Sequence, residues 1–228
     1  MPTPNFVMKT ADRTDPSNRP DPTESPLRQE WRGILTAARA NPLPPVELYD
    51  LSPALPVTNE HDGHLLIRQF ESSDVIWLGS SKRLGTGRLA EARQLLRFKP
   101  GRDAFVISNA IRSSLVTVAK DTPVTRRFLT LAIPRLPLSV QGSLLYLLRE
   151  HLPLMAIVAG TSRRLEGWYR WRAEWDEPAT KEAIQERLAG LGFGEKCLNP
   201  LRVWHLPGVV NPQTNFTQSL LYLDPSHE

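Results

Sequence analysis

Apolar and polar positions change their rhythm several times along this chain, and the changes predict its elements. Leu27, Trp31, Ile34, Leu35 and Ala38 recur at helical spacing until Asn41-Pro42 stops the run. Pro-rich sequence then reads as loop as far as Pro56, and His64 to Phe70 predicts a short helix. Asp74-Val-Ile-Trp-Leu-Gly79 is continuous enough for a buried strand leading into a turn. Helical spacing resumes through Leu89, Ala92, Leu95 and Leu96. Beyond Pro123 the signals sharpen: Arg127 to Ile133 predicts a strand, Leu138 to Leu152 an amphipathic helix, and Leu154 to Ala159 a second strand. Trp168-Tyr-Arg-Trp-Arg-Ala173 alternates with period two, as a strand with one basic face does. Pro178 opens a helix carrying Ala183, Ile184, Leu188 and Leu191, which Gly192 and Gly194 close. Val203 to Leu206 and Ser219 to Leu223 are expected to finish the sheet.

Mixed helices and strands with no internal repeat imply an α/β (α+β) fold, a mixed and largely antiparallel sheet with flanking helices. The first 26 residues differ. Pro2, Pro4, Pro16, Pro20, Pro22 and Pro26 stand among Asp, Arg, Thr and Asn, with little apolar surface to offset the entropy of ordering. Residues 1–26 are therefore expected to be a disordered Pro-rich arm, and 27–228 one domain with an N-terminal part (27–123) and a core strand-helix-strand part (124–228).

Composition narrows the function classes. Hydrophobic residues at 40% suffice for a core and exclude a wholly disordered or fibrous chain, while 21 prolines in 228 residues exceed the usual ~5%. Lys and Arg number 28 against 24 Asp and Glu, a net charge of +4 that leans toward polyanionic partners. The single cysteine, Cys197, cannot form an internal disulfide, and no paired Cys/His set suggests zinc, so a reducing, cytoplasmic setting is expected. No apolar leader and no run of ~18 apolar residues point to a membrane.

Candidate chemistry is sparse. Gly79-Ser-Ser-Lys-Arg-Leu-Gly-Thr-Gly87 is a basic Gly-rich loop ahead of a predicted helix, readable as an anion cradle or an ordinary loop, and its spacing excludes a nucleoside-triphosphate P-loop. Glu60-His61-Asp62-Gly63-His64 has ligand-type residues in what reads as a solvated turn. No Gly-x-Ser-x-Gly elbow is present, and Cys197 has no local histidine to activate it. What remains is basic and aromatic: Arg163 and Arg164 before Trp168, then Arg170, Arg172, Arg202 and His205. Period-two geometry puts Trp168, Arg170 and Arg172 on one strand face, suited to phosphate contacts and base stacking, or simply a solvated basic strand with an aromatic cover.

Several segments, in order, carry a family resemblance: Glu47 to Pro53, Asp74 to Gly79, Arg127-Phe-Leu-Thr-Leu, Leu136 to Gln141, Gly160 to Trp168, and Asn199-Pro-Leu-Arg-Val-Trp-His-Leu-Pro-Gly208 ahead of Leu220 to Pro225. Together they resemble the primase-like domains of bacterial, phage and plasmid replication proteins, in the archaeo-eukaryotic primase superfamily. Active members are expected to carry an acidic pair one residue apart at the end of the strand that here reads Leu131-Ala132-Ile133-Pro134. They also carry a histidine in a Gly-Lys-Ser-x-His-x-Trp pattern and a later acidic residue. In this chain Ala132 and Pro134 take the acidic positions, Glu166 the histidine position and Asn199 the aspartate position, whereas Arg163, Trp168, Pro200, Arg202, Leu206, Pro207 and Gly208 are kept.

Carboxylates hold the divalent cations of nucleotidyl transfer, and neither Ala132 nor Pro134 ligates a metal through its side chain. The resemblance therefore implies a catalytically degenerate domain without a metal or other cofactor. Its DNA or RNA partner would be single-stranded or primer-template, bound through Arg163, Arg164, Trp168, Arg170, Arg172, Arg202 and His205, as an accessory to replication or defence of a mobile element. Two rivals stand beside it: an active primase or polymerase using Mg or Mn at a metal site rebuilt around Glu166, and a protein-interaction module docking on a helicase or other replication partner.

Overall fold

A computed structural model describes residues 25–55, 60–97, 103–112, 118–132, 135–193 and 195–226. The expected arm, apart from Ser25 and Pro26, lies outside them. Ser25 caps helix α1 (Pro26–Ala40), accepting from the Arg28 N–H, with Pro26 in the first turn. The Pro-rich stretch that reads as loop contains a second helix, α2 (Pro45–Asp50), because Pro44 and Pro45 hold the φ values of a helix start and Leu48 is wholly buried. Helix α3 (Asp62–Ile67) follows.

Strand β1 (Val75–Gly79) turns back not into a helix but into β2 (Arg88–Glu91), and only Ala92–Leu95 forms one helical turn, α4. Pairing with β1, Leu89 opposite Trp77 and Ala90 opposite Ile76, overrides the helical spacing. The glycines of the connecting loop serve this hairpin: a Cβ on Gly79 or Gly87 would run into the Trp77 indole, whose Nε1 donates to the Leu84 carbonyl at 2.8 Å. No helix N-terminus stands behind the loop, so of the two readings of this segment the ordinary loop fits and the helix-backed anion cradle does not.

The remaining elements are β3 (Phe105–Ile107), β4 (Ala110–Ile111), β5 (Val124–Thr125), β6 (Phe128–Leu131), α5 (Leu138–Leu147), β7 (Leu154–Thr161), β8 (Arg164–Arg170), α6 (Pro178–Gly190), β9 (Val203–His205), β10 (Val210–Asn211), β11 (Phe216–Thr217) and β12 (Ser219–Leu223). The fold is mixed α+β with antiparallel sheets. One four-stranded sheet has the order β2-β1-β3-β9 and the other β12-β7-β8-β6, with two-stranded ribbons β4-β5 and β10-β11. Thus β9 does not finish the sheet of β12; it joins β3. Because β6 and β7 both run antiparallel to β8, they are parallel to each other, and α5 crosses between them over a sheet into which β8 is inserted.

Two cores follow. Helices α1, α5 and α6 cover one face of the second sheet through Trp31, Leu144, Leu148, Ile184 and Leu188 against Leu129, Leu154, Leu165 and Tyr169. Its other face meets the first sheet, where Ile76, Phe105, Ile107 and Trp204 pack on Phe128, Met155, Val158 and Trp168. Each fully buried aromatic removes about 150–250 Å² from water, roughly 4–6 kcal/mol of transfer free energy before entropy is subtracted. The sheets are also tied by charge: Arg127, just before β6, donates from Nε and Nη2 to the two oxygens of Asp74, before β1, at 2.8 and 2.7 Å. Residues on either side of position 123 are interleaved, since β9 completes the sheet of β1 and β3 and α1 packs on α5 and α6.

Candidate functional site

Period-two alternation along β8 sends Leu165, Gly167 and Tyr169 toward α5 and Arg164, Glu166, Trp168 and Arg170 toward the first sheet. That second face is an interior, which decides the fate of each predicted site residue. Trp168 is 0% exposed, its ring packed edge-on against Phe128 at 5.7 Å. It cannot offer its face to a base, contrary to the sequence-based expectation. Arg170 lies about 20 Å along the strand from Arg164 and donates to Gln69 at 3.0 Å. Arg172 is exposed beyond the strand, 3.9 Å from Glu174. The strand's basic residues therefore diverge toward opposite ends.

Glu166 is the centre of what does converge. It is wholly buried between the sheets, where His205 reaches it from β9. Its Oε1 lies 2.6 Å from His205 Nδ1, and its Oε2 accepts the His205 backbone N–H at 3.1 Å. Arg164 Nε stands 3.3 Å from Oε1 as an ion-pair contact without hydrogen-bond alignment. Burial pushes this carboxyl up, but the hydrogen bond from His205, the charge of His205 and the Arg164 guanidinium outweigh it and hold the group below its ordinary range. Gly160 on β7 makes room, since a Cβ there would strike the His205 ring and crowd Glu166 Oε1.

Above this pair opens a cleft of about 640 Å³ bordered by Lys82, Lys120, Arg164 and Arg202, with Asn199 beside them and Leu84, Leu201 and Val203 as its apolar part. None of the described lining residues is acidic. The Arg164 and Arg202 guanidiniums both lie over the buried Trp204 indole, at 5.2 and 4.5 Å from its centroid, and the Lys82 ammonium lies 5.3 Å from the Phe105 ring. Surrounding protein, and then the neighbouring Arg164, depress the affinity of Lys82 for its proton; the same two causes act in the same order on Arg202. The site is thus positive and under mutual repulsion.

Of the residues singled out from sequence, Arg164, Arg202 and Asn199 border the cleft and His205 and Glu166 lie beneath it. Arg163 is exposed in the adjoining β7–β8 turn. Sequence reasoning missed Lys82 and Lys120 as site residues. Lys82 had a signal in the basic Gly-rich loop; Lys120, in a turn held by the Ala119 N–H donating to Thr122 Oγ1, had none.

Two of the positions set against the primase pattern, Ala132 directly after β6 and Glu166 on β8, lie along neighbouring strands. Leu131 pairs with Gly167, so the register carries Ala132 opposite Glu166. Pro134 lies outside the described residues. Both Glu166 oxygens are engaged by His205, and among the described residues no three His, Cys, Asp or Glu side chains gather. His61 accepts from the Gly63 N–H at the start of α3, a capping role like that expected of a turn. No helix among the described residues is long and apolar enough to cross a membrane.

No protein-family model, no curated protein and no solved structure matches the chain.

Proposed function

We propose that this protein binds nucleic acid through the cleft of Lys82, Lys120, Arg164 and Arg202, as a primase-like domain without the carboxylate pair of nucleotidyl transfer. One observation carries the reading. Four cations from four separated segments of chain border a single cleft with no carboxylate among its described lining residues, and Glu166, which Arg164 meets at 3.3 Å, is sealed beneath it. Like charges gathered at one cleft repel one another, and a phosphate ligand would relieve that repulsion. The adjacency of Ala132 to Glu166 supports treating the substituted positions as one former site.

The reading makes the domain an accessory in replication or defence of a mobile element rather than a maker of primers. Labelled single-stranded DNA and RNA, titrated by fluorescence anisotropy at rising salt, test it: binding at micromolar protein or below, weakening linearly with the logarithm of salt concentration, is expected. No binding of either strand at low salt would remove the reading and favour a protein-docking role. Nucleotide incorporation with Mg or Mn should be absent; incorporation lost in Glu166→Gln would instead establish a rebuilt catalytic site.

A further inference from the structure

We infer that the cleft recognises a terminal phosphomonoester, such as the phosphorylated end of a single strand, rather than the interior of a strand. This rests on the phosphate-binding reading above and deepens it. Three features of the cleft separate an end from an interior.

The first is size. About 640 Å³ falls within the ~300–1,000 Å³ of clefts that take one small ligand. Grooves that track a strand without sequence preference engage about 4–16 nucleotides per module.

The second is that no aromatic face is open to the cleft among the described residues. Proteins that hold strand interiors place aromatic rings under successive bases. Here the rings at the cleft, Trp204 and Phe105, are 1% and 0% exposed and carry cations on their faces, so their π surfaces are already used. Trp168 is buried deeper still. Among the described residues the one large aromatic exposed to solvent is Tyr49, on α2, an element distant in sequence from every cleft cation. The cleft is built to read phosphate and not base.

The third is charge. Four cations border the cleft, and the Glu166 carboxylate beneath Arg164 is shared with His205, so three to four positive charges gather in one place. A phosphodiester inside a strand brings one negative charge per nucleotide. A terminal phosphomonoester brings about −1.5 to −2, and with the adjoining phosphodiester roughly −3. The end of a strand matches the charge that the cleft concentrates.

The same chemistry is present on a free mononucleotide, so the test separates the two sources. Single-stranded 12-mers bearing a 5′-hydroxyl, a 5′-phosphate or a 3′-phosphate, each labelled at the other end, are compared by anisotropy at fixed salt. A deoxynucleoside 5′-monophosphate and inorganic phosphate serve as competitors. We expect one terminal phosphate to tighten binding at least tenfold over the unphosphorylated strand, and Lys82→Gln with Lys120→Gln, both exposed, to erase that difference while the thermal midpoint is kept. All three strands binding within twofold of one another would overturn this inference and leave the nucleic-acid reading standing. If the monophosphate binds and no strand does, the phosphomonoester site is upheld and the nucleic-acid reading falls. No binding by any of these probes would overturn both.

Discussion

Glu166 and His205 are 39 residues apart in sequence and meet with Oε1 to Nδ1 at 2.6 Å across the interior between two sheets. The contact is a clamp as well as an ion pair, because the second carboxylate oxygen takes the backbone N–H of the same His205. One side chain therefore fixes both the imidazole and the main chain of β9, and with them the segment that carries Arg202 to the cleft. Burial of such a pair is weak evidence for net stabilisation, but removal of one partner leaves the other without compensation.

Replacing Glu166 with Ala should destabilise the fold by about 3 kcal/mol, read from urea unfolding, because Arg164 and His205 lose their common partner in a dry site. A pH dependence follows from the same carboxyl. Its folded-state value lies below the ordinary 4.5, so its contribution is fully present above that value and is lost as pH falls through the folded value. Stability should decline below about pH 4.5, and Glu166→Gln should flatten that limb; an unchanged limb in the variant would show that other carboxyls cause it.

Gly160→Ala should lower the thermal midpoint, opposite to the gain usual when a strained-free glycine becomes alanine. The added Cβ meets the His205 ring and the Glu166 carboxylate, neither of which can yield without breaking their contact. A cost of about 1–3 kcal/mol is expected, as for other overpacked interiors. An unchanged or raised midpoint in a thermal melt would mean that the clamp has slack.

Trp168→Ala should cost stability, about 3–5 kcal/mol, and not affinity, because the ring fills the core between the sheets. Trp168→Phe should fold and bind strands with unchanged affinity. Loss of affinity in the folded Phe variant would show that the indole touches the ligand after all.

The case of Trp168 shows where sequence reasoning succeeds and where it stops. Parity correctly puts Trp168 and Arg170 on one face of β8, but the strand ends before Arg172, and parity cannot say whether a second sheet covers that face. Helices α1 and α6 are legible because apolar spacing in each runs to a stop, Asn41-Pro42 and Gly192, and Pro178 opens the second, although Ser25 and Pro26, which begin α1, read as part of the arm. Strand β2 is not, because four residues hold too few apolar positions to reveal a period, and pairing with β1 decides their conformation. Of the site, Arg164 and Arg202 are readable as conspicuous cations near aromatics. Lys120 reaches them through the fold alone, and the partnership of Glu166 with His205 depends on β9 leaving the sheet of β12 for that of β3.

The salt dependence of strand binding in Lys82→Gln/Lys120→Gln, compared with the unaltered protein, bears most directly on the cationic cleft. Both side chains are exposed and absent from the core, so the double variant should melt at the same temperature. If each lysine contacts one phosphate of a single strand, the slope of log affinity against log salt should fall by about 1.4 and the affinity itself by tenfold or more at low salt. Equal slopes and equal affinities would contradict the account, since strand binding would then take place somewhere other than this cleft.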